Sequence, residues 1–552
     1  MATSKKGKKV SQKQIGQLAH SYFGYEQLRP GQEAAIASLL KGQDTLAVMP
    51  TGSGKSAIYQ LAAMELPGCT IVVSPLIALQ QDQVETLQDQ DWGSAALINS
   101  TTKEGDRQRA FRDLQNGDLE FLFLAPEQFN NPEVLEQIQA AHPSLFVVDE
   151  AHCVSEWGHD FRPDYLRLGT VIAALEHPTI LALTATAAPP VRQEIVDRLQ
   201  MREAQVIVQG FDRPNIWLGV KRFDDEAEKL EALQAWVRQA ERPGMIYAAT
   251  RKNAEKVAAA LADLGFAIGF YHAGMRAAER EHTQTAFMNG AIEVIVATTA
   301  FGMGVDKANV RFVYHYDISE SLDAYYQEIG RAGRDGAPAT AILFYNPEDL
   351  KLRRFFASKG QVEAEQVQQI AVAVQTAVAP VEVEDLKEAT DLSEAKINTA
   401  LSRLEEVGLA ETLPTGEVVA SEEQPISLDE AVTAVVEAQE QYQQYQRSRL
   451  EMMRGYAEVK DCRRSYLLNY FGEQIPQPCG HCDNCEAGLT VASEPQSQPF
   501  AIDSRVSHKS WGEGLVMRYE GDKIVVLFDQ VGYKTLGLDL VKRYRLLESV
   551  QS

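Results

Sequence analysis

Long apolar runs are missing from this sequence: none approaches the ~18 residues that a membrane-crossing helix needs, which excludes an embedded chain. The start, Met1 to Val10, carries Lys5, Lys6, Lys8 and Lys9 with no apolar stretch behind them, so no secretory leader is expected and the chain reads as cytoplasmic. Cysteine is scarce. Six in 552 residues cannot make a disulfide framework, yet four of the six fall within 24 residues, which points to a bound metal. Basic residues are in deficit, 53 Lys and Arg against 77 Asp and Glu, a formal charge of −24. A surface of that sign cannot grip nucleic acid all over, so any such contact has to be local. What remains is ordinary globular composition, 45% apolar and 24% charged, at a length sufficient for about four domains.

The acidic excess is concentrated. Residues 361–440 hold 18 Asp or Glu against 3 Lys or Arg, a net of −15, and are read as a separate unit. Ahead of them, from Ile15 to Phe356, short apolar runs (TLAVMP, TIVVSP, EFLFLAP, LFVVDEAH, ILALTATA, then GMIYAAT, VIVATTA, FVYHYD, AILFY) alternate with stretches of helical period. Such runs predict parallel sheets covered by helices on both faces. There are enough for two such domains, with a break at Gly210 to Lys221. The expected units are a disordered basic tail (1–14), two α/β domains (15–209 and 210–360), the acidic unit (361–440), a metal module (441–486), a Ser/Gln/Pro linker (487–500) and a small all-β barrel or sandwich (501–552).

The strand TLAVM is followed by Pro50, Thr51, Gly52, Ser53, Gly54, Lys55 and Ser56, and then by a helix-compatible stretch. Glycines let backbone N–H groups turn around a phosphate, a lysine neutralises the β and γ charges, and a hydroxyl can ligate Mg²⁺. Met49 stands where the P-loop pattern begins with glycine. The run LFVVDEAH ends a strand in Asp149 and Glu150, where one carboxylate can reach a metal and its neighbour the attacking water, unless the pair is a solvated turn. In YQEIGRAGRDG, Arg331 and Arg334 are expected on one helical face, as fingers towards a transferring phosphoryl group or as a solvated basic end.

Taken in order, these elements resemble superfamily 2 helicases, and VVDEAHCVSEWGHDFRPDY narrows the resemblance to the RecQ family of DNA helicases. The fold this implies is multidomain α/β: two tandem RecA-like parallel-sheet domains, an α-rich winged-helix unit, a zinc-binding helical module and a small C-terminal β-barrel. By the same likeness, FGYEQLRPGQ supplies Tyr25 to stack on adenine and Arg29 and Gln32 to contact the nucleotide; Leu28 stands where an aromatic is usual. The segments Val72 to Gln83 and Leu181 to Ala187 look like DNA-contacting and coupling motifs, as do Tyr271 to Met275 and Val296 to Lys307 in the second domain. The loop after Glu150 resembles the aromatic-rich loop that senses single-stranded DNA, with Trp157, His159, Phe161 and Arg162 touching DNA and His152 relaying to the ATP site. Aromatic faces stack on any base; core packing of Trp157 and Phe161 is the alternative, and the Gly, His and Arg interleaved with them make poor core material.

The spacing C-x16-C-x2-C-x2-C of Cys462, Cys479, Cys482 and Cys485 suits four thiolates on one Zn²⁺, an iron–sulfur cluster or free thiols being the alternatives; PCGHCDNC resembles the RecQ zinc motif. Arg447, Arg449, Arg454, Lys460, Arg463 and Arg464 make the preceding helix basic, as a duplex-backbone contact or a solvated face. The acidic unit has winged-helix form, but its second helix pairs Lys396 and Arg403 with Glu394, Glu405 and Glu406, so it is expected to be a spacer or a protein-docking unit. The final residues, from Arg505, resemble the Tudor-like barrel of bacterial superfamily 1 repair helicases; Trp511 and Tyr533 beside Arg518 and Lys534 would suit a protein interface, with core packing equally open for either aromatic. The expected function is ATP- and Mg²⁺-dependent unwinding of DNA, 3′ to 5′, in recombination and repair at the bacterial nucleoid. The alternatives are an RNA helicase and an ATP-gated DNA-binding adaptor with weak unwinding.

Overall fold

A computed structural model of the chain describes residues 12–23, 26–29, 31–75, 77–89, 93–155, 162–302, 305, 307–357, 362–377, 379–413, 417–421, 427–490, 498–502 and 504–550. The first lobe is built on a seven-stranded sheet in the order Ala95–Ile98, Phe121–Leu124, Thr70–Val73, Leu145–Val148, Thr179–Thr184, Thr45–Val48, Gln205–Val208. All of its ladders are parallel. The second lobe repeats the plan with six parallel strands, ordered Ile268–Tyr271, Val294–Ala297, Gly244–Tyr247, Phe312–His315, Ala339–Tyr345, Ile216–Arg222. Central strands such as Thr45–Val48 and Leu145–Val148 are buried at every position. Helices cover both faces, which is why these strands read as unbroken apolar runs.

After the second lobe come the helices Ala364–Thr376, Val383–Thr390 and Glu394–Glu406, and a small antiparallel hairpin of Ala410–Thr412 with Val418–Ala420. This winged unit closes around a core of its own, including Ile370, Leu386, Ile397 and Leu404. The 31-residue helix Leu428–Glu458, started by a capping box of Ser427 and Glu430, runs from that unit into the zinc module, so the two share one rigid element across residue 440. The chain ends in a five-stranded antiparallel sheet ordered Gly532–Gly537, Lys523–Phe528, Gly512–Glu520, Arg505–His508, Leu547–Ser549.

One hydrophobic cluster runs without interruption through Val48 and Ile195 of the first lobe, Phe211 between the lobes, Leu218 and Tyr326 of the second, Tyr456 and Phe471 of the zinc module and Tyr533 of the C-terminal sheet. The zinc module is therefore packed into the two-lobed body. No helix among the described residues is long and apolar enough to cross a membrane.

Candidate nucleotide, zinc and nucleic-acid sites

The phosphate loop leaves the buried strand Thr45–Val48 and enters the helix Ser56–Glu65. Gly52 and Gly54 take φ of 76° and 77°, a region in which a Cβ is strained, and this turns the loop's amides inward. A Cβ on Gly54 would meet Gln32 Nε2 at 2.9 Å. Gln32 is 1% exposed and donates to the carbonyls of Ser53 (3.0 Å) and Gly54 (2.9 Å) while accepting from the Arg29 amide (2.8 Å). Arg29 donates to the Gly52 carbonyl. Lys55 Nζ donates to the carbonyl of Met49, the residue at the place of the first P-loop glycine, at 3.2 Å. The Ser53 hydroxyl is buried with no protein partner, the sort of orphan that an anion's oxygen or the ligand shell of a metal satisfies.

Asp149 and Glu150 stand at the end of Leu145–Val148, with Glu150 at φ 49°. Burial, reinforced by the Glu150 charge and opposed by Lys55, pushes the Asp149 carboxyl up to about 7. Burial likewise lowers Lys55, against the two carboxylates, and the charge of Arg334 lowers it further. Two crowded acids beside one desolvated lysine suit a divalent cation, which would favour the charged form of Asp149. Ser56 Oγ accepts from Gln83 Nε2 at 3.3 Å, and Gln83 accepts from Tyr59 at 2.6 Å, so the segment Val72 to Gln83 is tied directly to the phosphate loop.

His152 is fully buried, with Nδ1 3.0 Å from Thr184 Oγ1 and 3.4 Å from Glu150 Oε2. Thr184 Oγ1 in turn donates to the carbonyl of Thr186. The histidine thus joins the carboxylate end to the strand that continues into the Leu181 to Ala187 motif. Arg162 donates to the Pro75 carbonyl at 3.2 Å. Tyr25, Trp157, His159 and Phe161 lie outside the described residues.

Arg331 and Arg334 do not share a helical face. Their helix, Leu322–Ile329, ends before them, and Gly333 at φ 56° helps carry the chain through a turn. The turn separates their destinations. Arg334 crosses to the first lobe, its Cγ and Cδ 3.4 and 3.5 Å from where a Cβ of Gly52 would stand; Arg331 is 4% exposed inside its own lobe beside Tyr247. Arg331 also lines a cavity of about 770 Å³ with Thr250, Arg251, Lys252, Thr298 and Thr299. Thr250 caps the helix Arg251–Ala262 by accepting from the Asn253 amide, leaving that helix start and two exposed basic side chains at the cavity mouth. Thr250, Arg251 and Lys252 were not singled out from the sequence; the legible signal was the cap residue directly after an apolar strand.

The four sulfurs of Cys462, Cys479, Cys482 and Cys485 lie within 4.8 Å of one another, and Cys479 and Cys485 are 3.8 Å apart. Amides of Cys479 and Ser465 donate to Cys462 Sγ, and that of His481 to Cys479 Sγ, as expected around thiolates. Four sulfurs at this separation fit tetrahedral zinc and leave no open position for chemistry. Asp483 accepts from Arg463 at 2.5 Å and from the Val220 amide at 2.8 Å, and Arg464 pairs with Asp212 at 2.6 Å, which seams the module to the edge strand Ile216–Arg222.

Burial overturns one expectation and decides between the alternatives of another. Arg449, Arg463 and Arg464 are 2–5% exposed and paired with Asp323, Asp483 and Asp212 respectively, while Arg454 pairs with Glu451 and Glu458; of that basic set only Arg447 and Lys460 are exposed. The helix is no basic rail for phosphates. In the barrel, Tyr533 and Arg518 face inward: Tyr533 packs on Tyr445 and Tyr470, and Arg518 lies over the Tyr466 ring at 4.8 Å. Trp511 is half-buried and stacks on His508 at 4.1 Å.

Two parallel-sheet lobes with a phosphate loop on one and an arginine reaching it from the other define a helicase-type ATPase. Residues 29–195 match the DEAD/DEAH box helicase family, 228–336 the helicase conserved C-terminal domain and 422–486 the RecQ zinc-binding family. The chain is 40% identical over 354 residues to a probable ATP-dependent DNA helicase RecS of Bacillus subtilis, covering 64% of this chain and 71% of that protein. It is 34% identical over 497 residues to the ATP-dependent DNA helicase RecQ of Pasteurella multocida, covering 88% of this chain and 66% of that protein. It therefore belongs to the RecQ family of ATP-dependent DNA helicases, with ATP and zinc as its ligands. It spans just under two thirds of the P. multocida protein and 62% of the RecQ of Haemophilus influenzae. Among solved structures, the DUF1998 helicase MrfA bound to DNA and AMPPNP shares the fold at TM-score 0.51 and 20% identity, covering 75% of this chain and 63% of that one.

Proposed function

We propose that the protein hydrolyses ATP between its two lobes to move 3′ to 5′ along single-stranded DNA and unwind duplexes in recombination and repair, in the cytoplasm at the nucleoid. The observation that carries this reading is Arg334 of the second lobe lying against Gly52 of the phosphate loop. A triphosphate seated there is held from both sides, and its differential affinity for closed and open arrangements supplies the motion. Thr51 to Gly54 and Lys55 bind the β and γ phosphates, with Arg29 and Gln32 bracing the loop and Tyr25 meeting the base. Ser56 and Asp149 hold Mg²⁺, which when bound neutralises charge building on the phosphates. Glu150 orients and deprotonates the attacking water, and Arg334 meets the negative charge of the transition state with Arg331 supporting from its own lobe. Release of the terminal phosphate removes what Arg334 was gripping, and the lobes part.

DNA backbone is gripped by Thr250, Arg251, Lys252, Thr298 and Thr299 around the second-lobe cavity, a local basic site on an acidic protein. Trp157, His159, Phe161 and Arg162 stack on and hold bases, and His152 carries their state to Glu150 through its two contacts. The winged unit serves as a spacer or protein-docking module. Lys396 donates to Gln366 within the unit and Arg403 lies over Tyr442, so the basic residues of its second helix are turned onto the protein. A protein partner would meet the outward face of the barrel, where Leu540 and Tyr544 are exposed. Strand displacement on a 3′-tailed duplex tests the whole reading. Unwinding that requires ATP and vanishes with Lys55→Ala is expected; DNA-stimulated hydrolysis without unwinding would instead support the adaptor.

A further inference from the structure

The segment that joins the lobes touches both halves of the nucleotide site. Its start lies against the phosphate loop: the Gln209 amide donates to the Val48 carbonyl at 3.1 Å, and Gly210 sits where a Cβ would be 3.7 Å from Pro50. Three residues further on, Arg213 donates from Nη1 to the Gly330 carbonyl at 3.1 Å and from Nη2 to the carbonyls of Ala332 (2.9 Å) and Gly333 (3.0 Å). Those are the carbonyls between which Arg331 is strung and after which Arg334 follows. Asn215 adds a bond to the same Gly333 oxygen at 2.9 Å and one to Ala337 at 3.0 Å, and the Gly333 amide is satisfied by Val310. The turn carrying Arg334 is thus wound around two side chains of the connecting segment.

The segment itself is held at its middle. The Phe211 ring stacks on Phe471 at 4.6 Å, its amide donates to Glu473 at 2.9 Å, and its carbonyl accepts from Tyr326 at 2.8 Å. Tyr326 belongs to the helix Leu322–Ile329, whose carbonyl end Arg213 caps with the favourable sign for a helix dipole. A planar guanidinium presents donors in a fixed fork, and here two of its nitrogens reach three carbonyls, a spread that the single nitrogen of a lysine does not reproduce.

We propose that Arg213 is a positioning residue for ATP hydrolysis: it fixes the 330–334 turn to the interlobe segment, so that Arg334 arrives at the phosphate loop in register with the hinge. This rests on the reading of Arg334 given above. Without Arg213 the carbonyls of Gly330 and Ala332 lose their donor and Gly333 keeps only that of Asn215, so the turn is held to the interlobe segment less firmly, while nothing that binds ground-state ATP is removed. The loss therefore belongs in kcat rather than KM.

The test is DNA-stimulated ATP hydrolysis by the full chain carrying Arg213→Ala, Arg213→Lys, Arg334→Ala, or Arg213→Ala with Arg334→Ala. Arg213→Ala is expected to lower kcat by about 10²-fold with KM for ATP within about threefold, and Arg213→Lys to fall between. The double variant is expected to be no slower than Arg334→Ala, because both changes remove one effect. Millimolar guanidinium in solution is expected to restore part of the Arg213→Ala rate. Losses that multiply in the double variant, or a raised KM at unchanged kcat, overturn the proposal. If Arg213→Ala loses its zinc or its melting transition, Arg213→Lys and Arg213→Gln carry the same comparison. Full turnover by Arg334→Ala overturns the finger reading and this inference with it, whereas a crippled Arg334→Ala beside undiminished Arg213 variants overturns only the role of Arg213.

Discussion

Arg334 reaches out of the second lobe to the phosphate loop of the first, whereas Arg449, Arg463 and Arg464, on the helices that follow, point into the protein and each meet one aspartate. All four are arginines in short basic runs. They differ in what lies in front of them: a cleft in the first case, a packed seam in the other. In the seam the guanidinium groups become internal fasteners. Arg449 and Tyr470 both donate to Asp323, at 3.1 and 2.6 Å, at the start of the helix whose far end leads to Arg334. A buried charge pair of this kind costs about as much in desolvation as its attraction returns, but losing one partner strands the other. In the cleft, by contrast, Arg334 lies against the phosphate loop, and the role proposed for it is to meet charge that exists only during the reaction.

That contrast can be broken experimentally, and the largest effect belongs to the cleft. Arg334→Ala is expected to reduce DNA-stimulated ATP hydrolysis by about 10³-fold or more without moving the melting temperature, as steady-state rates and thermal melts would show. Next comes the seam, where Arg449→Ala leaves Asp323 buried with Tyr470 alone and should cost about 3–5 kcal/mol of stability. Denaturant titration measures that loss; a variant as stable as the parent would mean that water reaches Asp323. A subtler contrast separates exposed from buried basic residues. Changing the exposed Arg447 and Lys460 together to alanine should lower the slope of log affinity for DNA against log salt by at most about 2. Arg463→Lys should leave that slope unchanged, since Arg463 is buried against Asp483. Smallest is Glu451→Gln at the exposed Arg354 pair, where melting should register less than about 1 kcal/mol.

The winged unit and the barrel draw a second line through the molecule. Both have cores of their own, but the barrel also adds Tyr533 and Met517 to the cluster shared with the lobes and the zinc module. Gly532 is where this contact is tightest, since a Cβ there would meet Ser448 Cβ at 2.9 Å on the long helix. The barrel is thus fastened to the enzyme by the Tyr533 and Arg518 side chains that, read alone, suit an outward interface. Alternation of apolar and polar residues marks the strands of a small barrel but not which outer face another domain will cover.

Much of the first lobe's site could be read directly. A glycine-rich turn between an apolar strand and a helix has few uses, and the local backbone alone orients Gly52, Gly54 and Lys55. Asp149 and Glu150 were legible for the same reason, standing where a buried strand stops. The second lobe was less so. Arg331 and Arg334 are three residues apart, and helical period joins them, but the helix ends at Ile329 and the turn sends them to different lobes. Gln83 and Arg213 act through contacts 27 and about 120 residues away in the chain, which no local pattern encodes.

Local residue pattern by itself determined the two apolar-run domains, the phosphate loop, the carboxylate pair and the four-thiolate cluster, because each depends on neighbours along the chain: backbone conformation, strand burial, ligand spacing. The tertiary structure alone decided which arginines face the cleft and which are fasteners, that the interlobe segment grips the finger turn, and that the barrel is packed into the body. Those outcomes depend on burial and charge partners contributed by distant segments, and a side chain's chemistry is not assigned until the fold has chosen what surrounds it.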